Sequence, residues 1–385
     1  TPATGVVDLQ TLLGLSEAEP LAMSFYQPLA QKPGVLHCKL YHLNESLPLS
    51  DVIPVLENLG LRVLGEFPFR VVQADGTQFW IHDFEFTFGA GASLDIQETN
   101  ALFRDAFAAV WSGQAENDAF NRLVLLAGLP WRDVALLRAY ARYLKQIRLG
   151  FELPYIASTL VAHADIAREL VRLFRTRFYL ARKLSADDLA DMQGKLEKAI
   201  LGALDDVAVL NEDRILRRYL DLIKATLRTN FYQNDDEGEA REYLSLKFDP
   251  TQIPELPLPR PMFEIFVYSP RVEGVHLRGG KVARGGLRWS DREEDYRTEV
   301  LGLVKAQQVK NAVIVPVGAK GGFVPRRLPL GGSRDEVQQE AIACYRLFIQ
   351  GLLDITDNLV DGKVVPPANV VRHDGDDPYL VVAAD

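Results

Sequence analysis

Three cations in the last third of the chain stand beside glycines or at a helix end. Arg284 precedes Gly285 and Gly286, Lys310 closes an apolar helical pattern, and Lys320 lies in "VGAKGG" ahead of Gly321 and Gly322. Glycine lets backbone and ligand approach closely, so cations converging there suit a small dianion. Each also has a plainer reading. Lys310 at a helix C-terminus complements the macrodipole, worth about 0.3–1 kcal/mol, and Arg284 can be an ordinary loop arginine. Lys320 fits a plain reading least, because Gly318, Ala319, Gly321 and Gly322 leave space around it. Lysines crowded by other cations and withdrawn from water release protons nearer neutral pH, which is what a general base or acid requires.

Other chemistries fail on spacing. "VGAKGGF" lacks the first glycine of a phosphate loop and has Gly321 where Ser or Thr would hold magnesium. "RGGKVARGG" does not lead G-x-G-x-x-G into a helix. The histidines at 37, 42, 82, 163, 276 and 373 make no ligand spacing, so no metal is expected. No G-x-S-x-G nucleophile elbow occurs. Cys38 and Cys344 sit far apart in apolar runs, which argues against a disulfide framework and for a reducing, cytoplasmic setting. A net charge of -9 disfavours nucleic acid. No apolar run approaches the roughly 20 residues of a membrane span.

The elements that must position these residues follow from periodicity. A chain of 385 residues suggests two or three domains. After a leader, 1–34, "GVLHCKLYHL" reads as a strand. The helix "LPLSDVIPVLENLG" is expected to be capped by Ser50, with Pro54 in its first turn and a stop at Gly60. Two strands follow, over "LRVLGEFPFRVV" and "TQFWIHDFEFTF". Strand, helix, strand, strand is most of a ferredoxin-like α/β sandwich, placed at 35–115.

From about 97 to 232 the period is helical, for example through Val134, Leu137, Ala141 and Leu144. We assign a helical linker to 116–255. The acidic "QNDDEGEARE" and proline-rich "DPTQIPELPLPRP" mark a loop and a boundary, with a new domain from 256 to 385. Its alternating strands and helices predict an α/β sheet. A helix is expected over 294–310, a strand at "VIVPV" that delivers Lys320, a helix capped by Ser333 and Glu336, and a closing strand "YLVVAAD". An end inside a buried strand reads as a piece of a longer protein.

The run "VEGVHLRGGKVARGGLRWSDREEDYRTEVLGLVKAQQVKNAVIVPVGAKGGF", with "RHDGDDPYLVVAAD", resembles the very large bacterial NAD-dependent glutamate dehydrogenases. The likeness extends more loosely to the sandwich and helical segments, which are similar to the ACT-like modules and helical linker of that family. It implies an α+β and α/β multidomain chain holding the substrate-binding half of the catalytic core without the Rossmann domain. It also implies reversible oxidative deamination of L-glutamate to 2-oxoglutarate and ammonia, with NAD bound by a domain not in this chain. Carried over by motif, Lys320 would be the catalytic lysine and Asp385 the proton-shuttling aspartate. Lys310 would hold the α-carboxylate, and Gly285, Gly286, Gly321 and Gly322 would line the substrate. Arg284 stands where smaller members have a lysine contacting the side-chain carboxylate, and a guanidinium can grip that group bidentately. Val317 stands where the family often has glycine.

The resemblance further implies a homo-oligomer. The alternative reading makes 35–112 a regulatory module that binds an amino-acid effector, or a contact module between subunits. The piece itself is expected to be inactive alone.

Overall fold

The computed structural model of the chain describes residues 2–26, 35–88, 96–180, 184–310 and 317–384, without side chains at 2–4, 96–99, 308–310 and 383–384. It divides into two compact units, Thr1–Val134 and Ala135–Asp385.

The first unit opens with α1 (Pro2–Leu13), β1 (Leu21–Tyr26) and β2 (Val35–Leu43). Next come α2 (Leu49–Asn58), β3 (Leu61–Val72), β4 (Gln78–Phe88), α3 (Ile96–Trp111) and the short α4 (Arg122–Leu126). The four strands form an antiparallel sheet in the order β1-β2-β4-β3. The stretch expected to be a leader thus supplies both a helix and the strand that completes the sheet. A ferredoxin-like sandwich takes that strand from its C-terminal end, whereas here it precedes the others. Phe25 of β1 closes edge-on to Phe103 of α3 at 4.5 Å, while Leu12 of α1 packs on Tyr41, Phe79 and Ile81.

Helix α2 begins earlier than expected. Pro48, whose φ is fixed at -63°, occupies the N-cap without a side-chain cap. Ser50 lies inside the first turn and donates to Asp51 Oδ1 (3.1 Å), and Pro54 falls in the helix interior. Gly60, with φ +94°, makes the expected stop.

The second unit begins in the helices α5 (Trp131–Gln146), α6 (Leu153–Ala162), α7 (Ala164–Phe178), α8 (Ala186–Asp205) and α9 (Leu210–Ala225). Its strands are β5 (Thr226–Thr229), β6 (Leu244–Phe248), β7 (Phe263–Tyr268), β8 (Val272–Arg278) and β9 (Arg284–Trp289). Then follow α10 (Tyr296–Lys310), β10 (Ala319–Pro325), α11 (Arg334–Leu353), the hairpin β11 (Asn358–Val360) and β12 (Lys363–Val365), and β13 (Val381–Ala384).

Seven strands form one sheet, β13-β9-β10-β8-β7-β6-β5. The trio β13, β9 and β10 is parallel and the remaining pairs are antiparallel. β5 and β6, drawn from the segment assigned to the helical linker, pair into the same ladder as β7, so residue 256 falls within a continuous sheet. Its prolines build the connection from β6 to β7, starting with the turn Pro250–Gln252.

On one face Tyr143 of α5 stacks on Phe248 at 4.5 Å and lies 5.4 Å from Phe266. On the other, Cys344, Phe348 and Leu352 of α11 bury against Ile265, Val267, Leu287 and Phe323. The capping box of α11 forms as expected between Ser333 and Glu336. The strand expected at 313–317 lies mostly outside the described residues.

Candidate functional site

The site is built on β9, α10 and β10, a strand-helix-strand crossover that sets two parallel strands side by side. Lys320 does not hang in a loop after a strand; it is the second residue of β10. A Cβ at Gly318 would come 2.0 Å from Gln307 Oε1, and one at Gly322 would come 2.7 Å from Val300 Cγ2. Both are residues of α10, so the even positions of β10 face that helix. Strand side chains alternate, which puts the half-buried Lys320 on the same face between them.

Arg284 is the first residue of β9, with an exposed side chain, and bridges Gly318 in parallel register. Residues opposite one another in a sheet share a face, so Arg284 also points toward the α10 side. Arg288, four residues on, confirms the phase with an ion pair to Glu299 of α10 at 3.4 Å. The Cα atoms of Arg284 and Lys320 are therefore roughly 8 Å apart, one strand across and two residues along.

The end of α10 meets the two strands here. Gln307 Nε2 donates to the Arg284 carbonyl at 3.1 Å, and Lys310 is the last residue of the helix, one turn further on. The side chain of Lys310 and the whole of Asp385 lie outside the described residues.

The glycines expected to clear room for a ligand are filled by the protein's own atoms. A Cβ at Gly285 would meet the Ala319 carbonyl oxygen at 1.6 Å, and one at Gly321 would meet Leu287 Cδ2 at 2.2 Å. Gly322 is occupied by Val300, as above, and the buried Gly286 pairs with Ala383 of β13. Their absence of side chains lets β9, β10 and α10 close on each other.

Two features escaped sequence reasoning. Gln307 belongs to the site: its Oε1 is buried and has no hydrogen-bond partner among the described residues, while its amide nitrogen holds β9. Nothing in its local sequence pattern marks it. The second feature is a buried ionic set at the same end of the sheet, on the opposite face. Lys247 Nζ donates to Asp374 at 2.5 Å and Asp377 at 2.7 Å. Arg228 binds Asp374 (2.6 Å) and both oxygens of Asp357 (2.8 and 3.1 Å). Arg278 donates to Asp377 and to the Tyr379 carbonyl.

Burial opposes ionisation of Asp377, but hydrogen bonds from Arg278 and the charge of Lys247 outweigh it and hold the carboxyl below its ordinary value. Desolvation pulls the Lys247 amine down against the two carboxylates. His276, buried two residues before Arg278, is pushed down to about 3, first by burial and then by the Arg278 charge. The available signal was charge inside short strands, "TLRT" and "SLKF", but "RHDGDDPY" reads as a solvated acidic turn.

The first unit has a polar cluster of its own. Asp83 accepts from Tyr26 and lies 3.0 Å from His37 Nδ1, and Asp8 of α1 binds Lys39 (2.7 Å) and Tyr41 (2.7 Å). Its carboxylates are matched by donors within the unit, so it reads as a tie between α1 and the sheet. Among the described residues, no group of three or more His, Cys, Asp or Glu side chains is placed to hold a metal ion, and no helix is long and apolar enough to cross a membrane.

Comparison with known families gives three matches along the chain. Residues 199–385 match the bacterial NAD-glutamate dehydrogenase catalytic domain, 20–99 the glutamate dehydrogenase ACT3 domain, and 115–180 glutamate dehydrogenase helical motif 3. The chain is 77% identical over 384 residues to the NAD-specific glutamate dehydrogenase of Pseudomonas aeruginosa, which covers 100% of this chain and 24% of that protein. It is 58% identical over 382 residues to that of Halomonas elongata, covering 99% of this chain and 23% of the relative. For that of Mycobacterium tuberculosis the identity is 46% over 398 residues, covering 100% and 24%. The chain thus spans about a quarter of the length of these curated relatives.

Proposed function

This chain belongs to the bacterial NAD-glutamate dehydrogenases, and from that premise we propose that it supplies the substrate-binding half of an enzyme interconverting L-glutamate with 2-oxoglutarate and ammonia. The observation that carries the reading is the shared face. Arg284 and Lys320 project from neighbouring parallel strands toward the side where α10 ends in Lys310. Two carboxylates are the natural guests of such a place: Arg284 grips one bidentately and Lys310 holds the other as a point charge. Lys320 takes a proton from the water that adds at the α-carbon and returns it to the departing amine, and Asp385 relays it. Gln307 serves the scaffold beneath them: its Oε1 lies over Gly318 and its amide nitrogen holds the Arg284 carbonyl.

The described residues do not fit a dinucleotide. The glycine pair that stands before a helix, Gly331 and Gly332 ahead of α11, is followed by a closed capping box and by Asp335 and Glu336 in the first turn, which repel a pyrophosphate. NAD is therefore assigned to a region outside these residues.

The first unit is read as an ACT-type sandwich, joined by a helical segment to the substrate-binding domain. A cytoplasmic homo-oligomer completes the reading. Replacing Lys320→Ala in the full-length enzyme is expected to lower kcat on the order of 10²-fold or more. Unchanged turnover would overturn the assignment.

A further inference from the structure

We propose that Arg228, Lys247 and Arg278, with Asp357, Asp374 and Asp377, are positioning residues for the substrate site: they fasten residues 372–379 to the sheet and so fix where β13 lies against β9. The proposal rests on the reading of Arg284 and Lys320 given above.

Residues 366–380, between β12 and β13, form no helix or strand. Such a stretch is expensive to order, because each residue gives up backbone freedom on being fixed. The strand it leads into is four residues long, pairs only with β9 among the described strands, and starts with a half-exposed Val381. Yet that pairing sets Val381 opposite Arg284 and Ala384 opposite Leu287. Leu380 and Val382 pack on the core beside Leu287 and Phe323, but apolar contact of this kind is non-directional and leaves the register to a further hold.

The ionic set provides this from three strands of the sheet, β5, β6 and β8. On β5, every N–H of Arg228 is used: Nε on Asp374 (2.6 Å), Nη1 on Asp357 (2.8 Å) and the Ile355 carbonyl (3.1 Å), Nη2 on Asp357 (3.1 Å) and the Gly375 carbonyl (2.8 Å). On β6, Lys247 joins Asp374 to Asp377. On β8, Arg278 takes Asp377 and the carbonyl of Tyr379, two residues before β13. Asp357 closes the ring by accepting from the Asp377 amide at 2.7 Å. Arg278 is itself paired with Ala319, the residue before Lys320. The clamp therefore touches the strand of Lys320 at one end and the entry to β13 at the other, with β9 between them.

Buried ion pairs add little net stability over an apolar replacement of the same volume. What they do provide is a single geometry, because bidentate guanidinium and carboxylate contacts tolerate little displacement. A set this complete is better suited to fixing a register than to holding the fold together.

The test uses the full-length enzyme, with steady-state kinetics and hydrogen exchange read on the same samples. Asp377→Asn is expected to lower kcat on the order of tenfold or more, as a misplaced site does, with KM for 2-oxoglutarate nearly unchanged. Exchange should quicken in the peptide covering 378–384. Arg278→Lys, which keeps the charge on Asp377 but not the fork, should fall between Arg278→Gln and the parent enzyme. Faster exchange with unchanged kcat overturns the proposal, and so does a lost kcat with unchanged exchange. If Asp377→Asn does not fold, Arg372→Gln at the rim, which binds Asp357 and Asp376, is judged by the same two readings. Lys320→Ala run alongside separates the two ideas: full activity there sinks the site itself, whatever the clamp variants do.

Discussion

The seven-stranded sheet carries cations on both faces near one end, and their surroundings differ. Arg228, Lys247 and Arg278 are all under 5% exposed, and each is locked to one or two aspartates. Arg284, two strands from Arg278, is open to solvent, and its backbone carbonyl accepts from Gln307 Nε2. A buried cation must bring its own counter-charge, since desolvation otherwise drives it neutral. A cation that stays wet keeps its hydrogen-bonding capacity for a visitor. The contrast teaches that cation count alone says little about function and that access to water divides the buried structural set from the cations proposed to bind substrate.

The largest expected effect breaks the buried side. Arg228→Met strips Asp357 of its bidentate partner and Asp374 of one of its two cations, and removal of one partner of a buried pair typically costs about 3–5 kcal/mol. The shift should appear as a lower denaturant midpoint at constant slope, and a value near zero would mean that water reaches the set.

A smaller effect concerns His276, whose imidazole is depressed to about 3 by its buried place beside Arg278. An unfolded histidine titrates near 6.5, so between those limits the unfolded chain holds a proton that the folded one does not. Stability is therefore full above about pH 6.5 and falls below it, by up to about 1.4 kcal/mol per pH unit from this group. His276→Gln should flatten the slope between pH 6.5 and 5. Asp377 has the other window: its contribution is present above the ordinary aspartate value near 3.9 and fades only as pH falls through its lower folded value.

The smallest effect sharpens the comparison from the wet side. Arg284→Ala should change stability by no more than about 0.5 kcal/mol, as an exposed substitution does, while weakening 2-oxoglutarate binding to the full-length enzyme. Equal losses in both would place Arg284 with the structural set.

What could be read in advance was local. The capping box of Ser333 and Glu336, the stop at Gly60 and the span of α10 depend on residues within a turn of each other, and all three are found. The cations of the candidate site were legible as residue types beside glycine, but the duty of those glycines was not. Whether Gly321 admits a ligand or Leu287 depends on a neighbouring strand. β1 was lost in the leader because six half-buried residues, "LAMSFY", carry little alternation without their partner β2. The clamp was illegible for a stronger reason: Arg228 and Asp374 stand 146 positions apart, and only the folded sheet makes them neighbours.

Phe263 sits at the centre of that arrangement. Its ring, on β7 between β6 and β8, has Lys247 Nζ 4.3 Å and Arg278 4.9 Å from its centre. The electron-rich face of one phenyl group thus cushions two like charges that would otherwise push apart. Three strands thus meet at a single side chain: leucine at 263 would keep the grease and lose the cushion beneath Lys247 and Arg278.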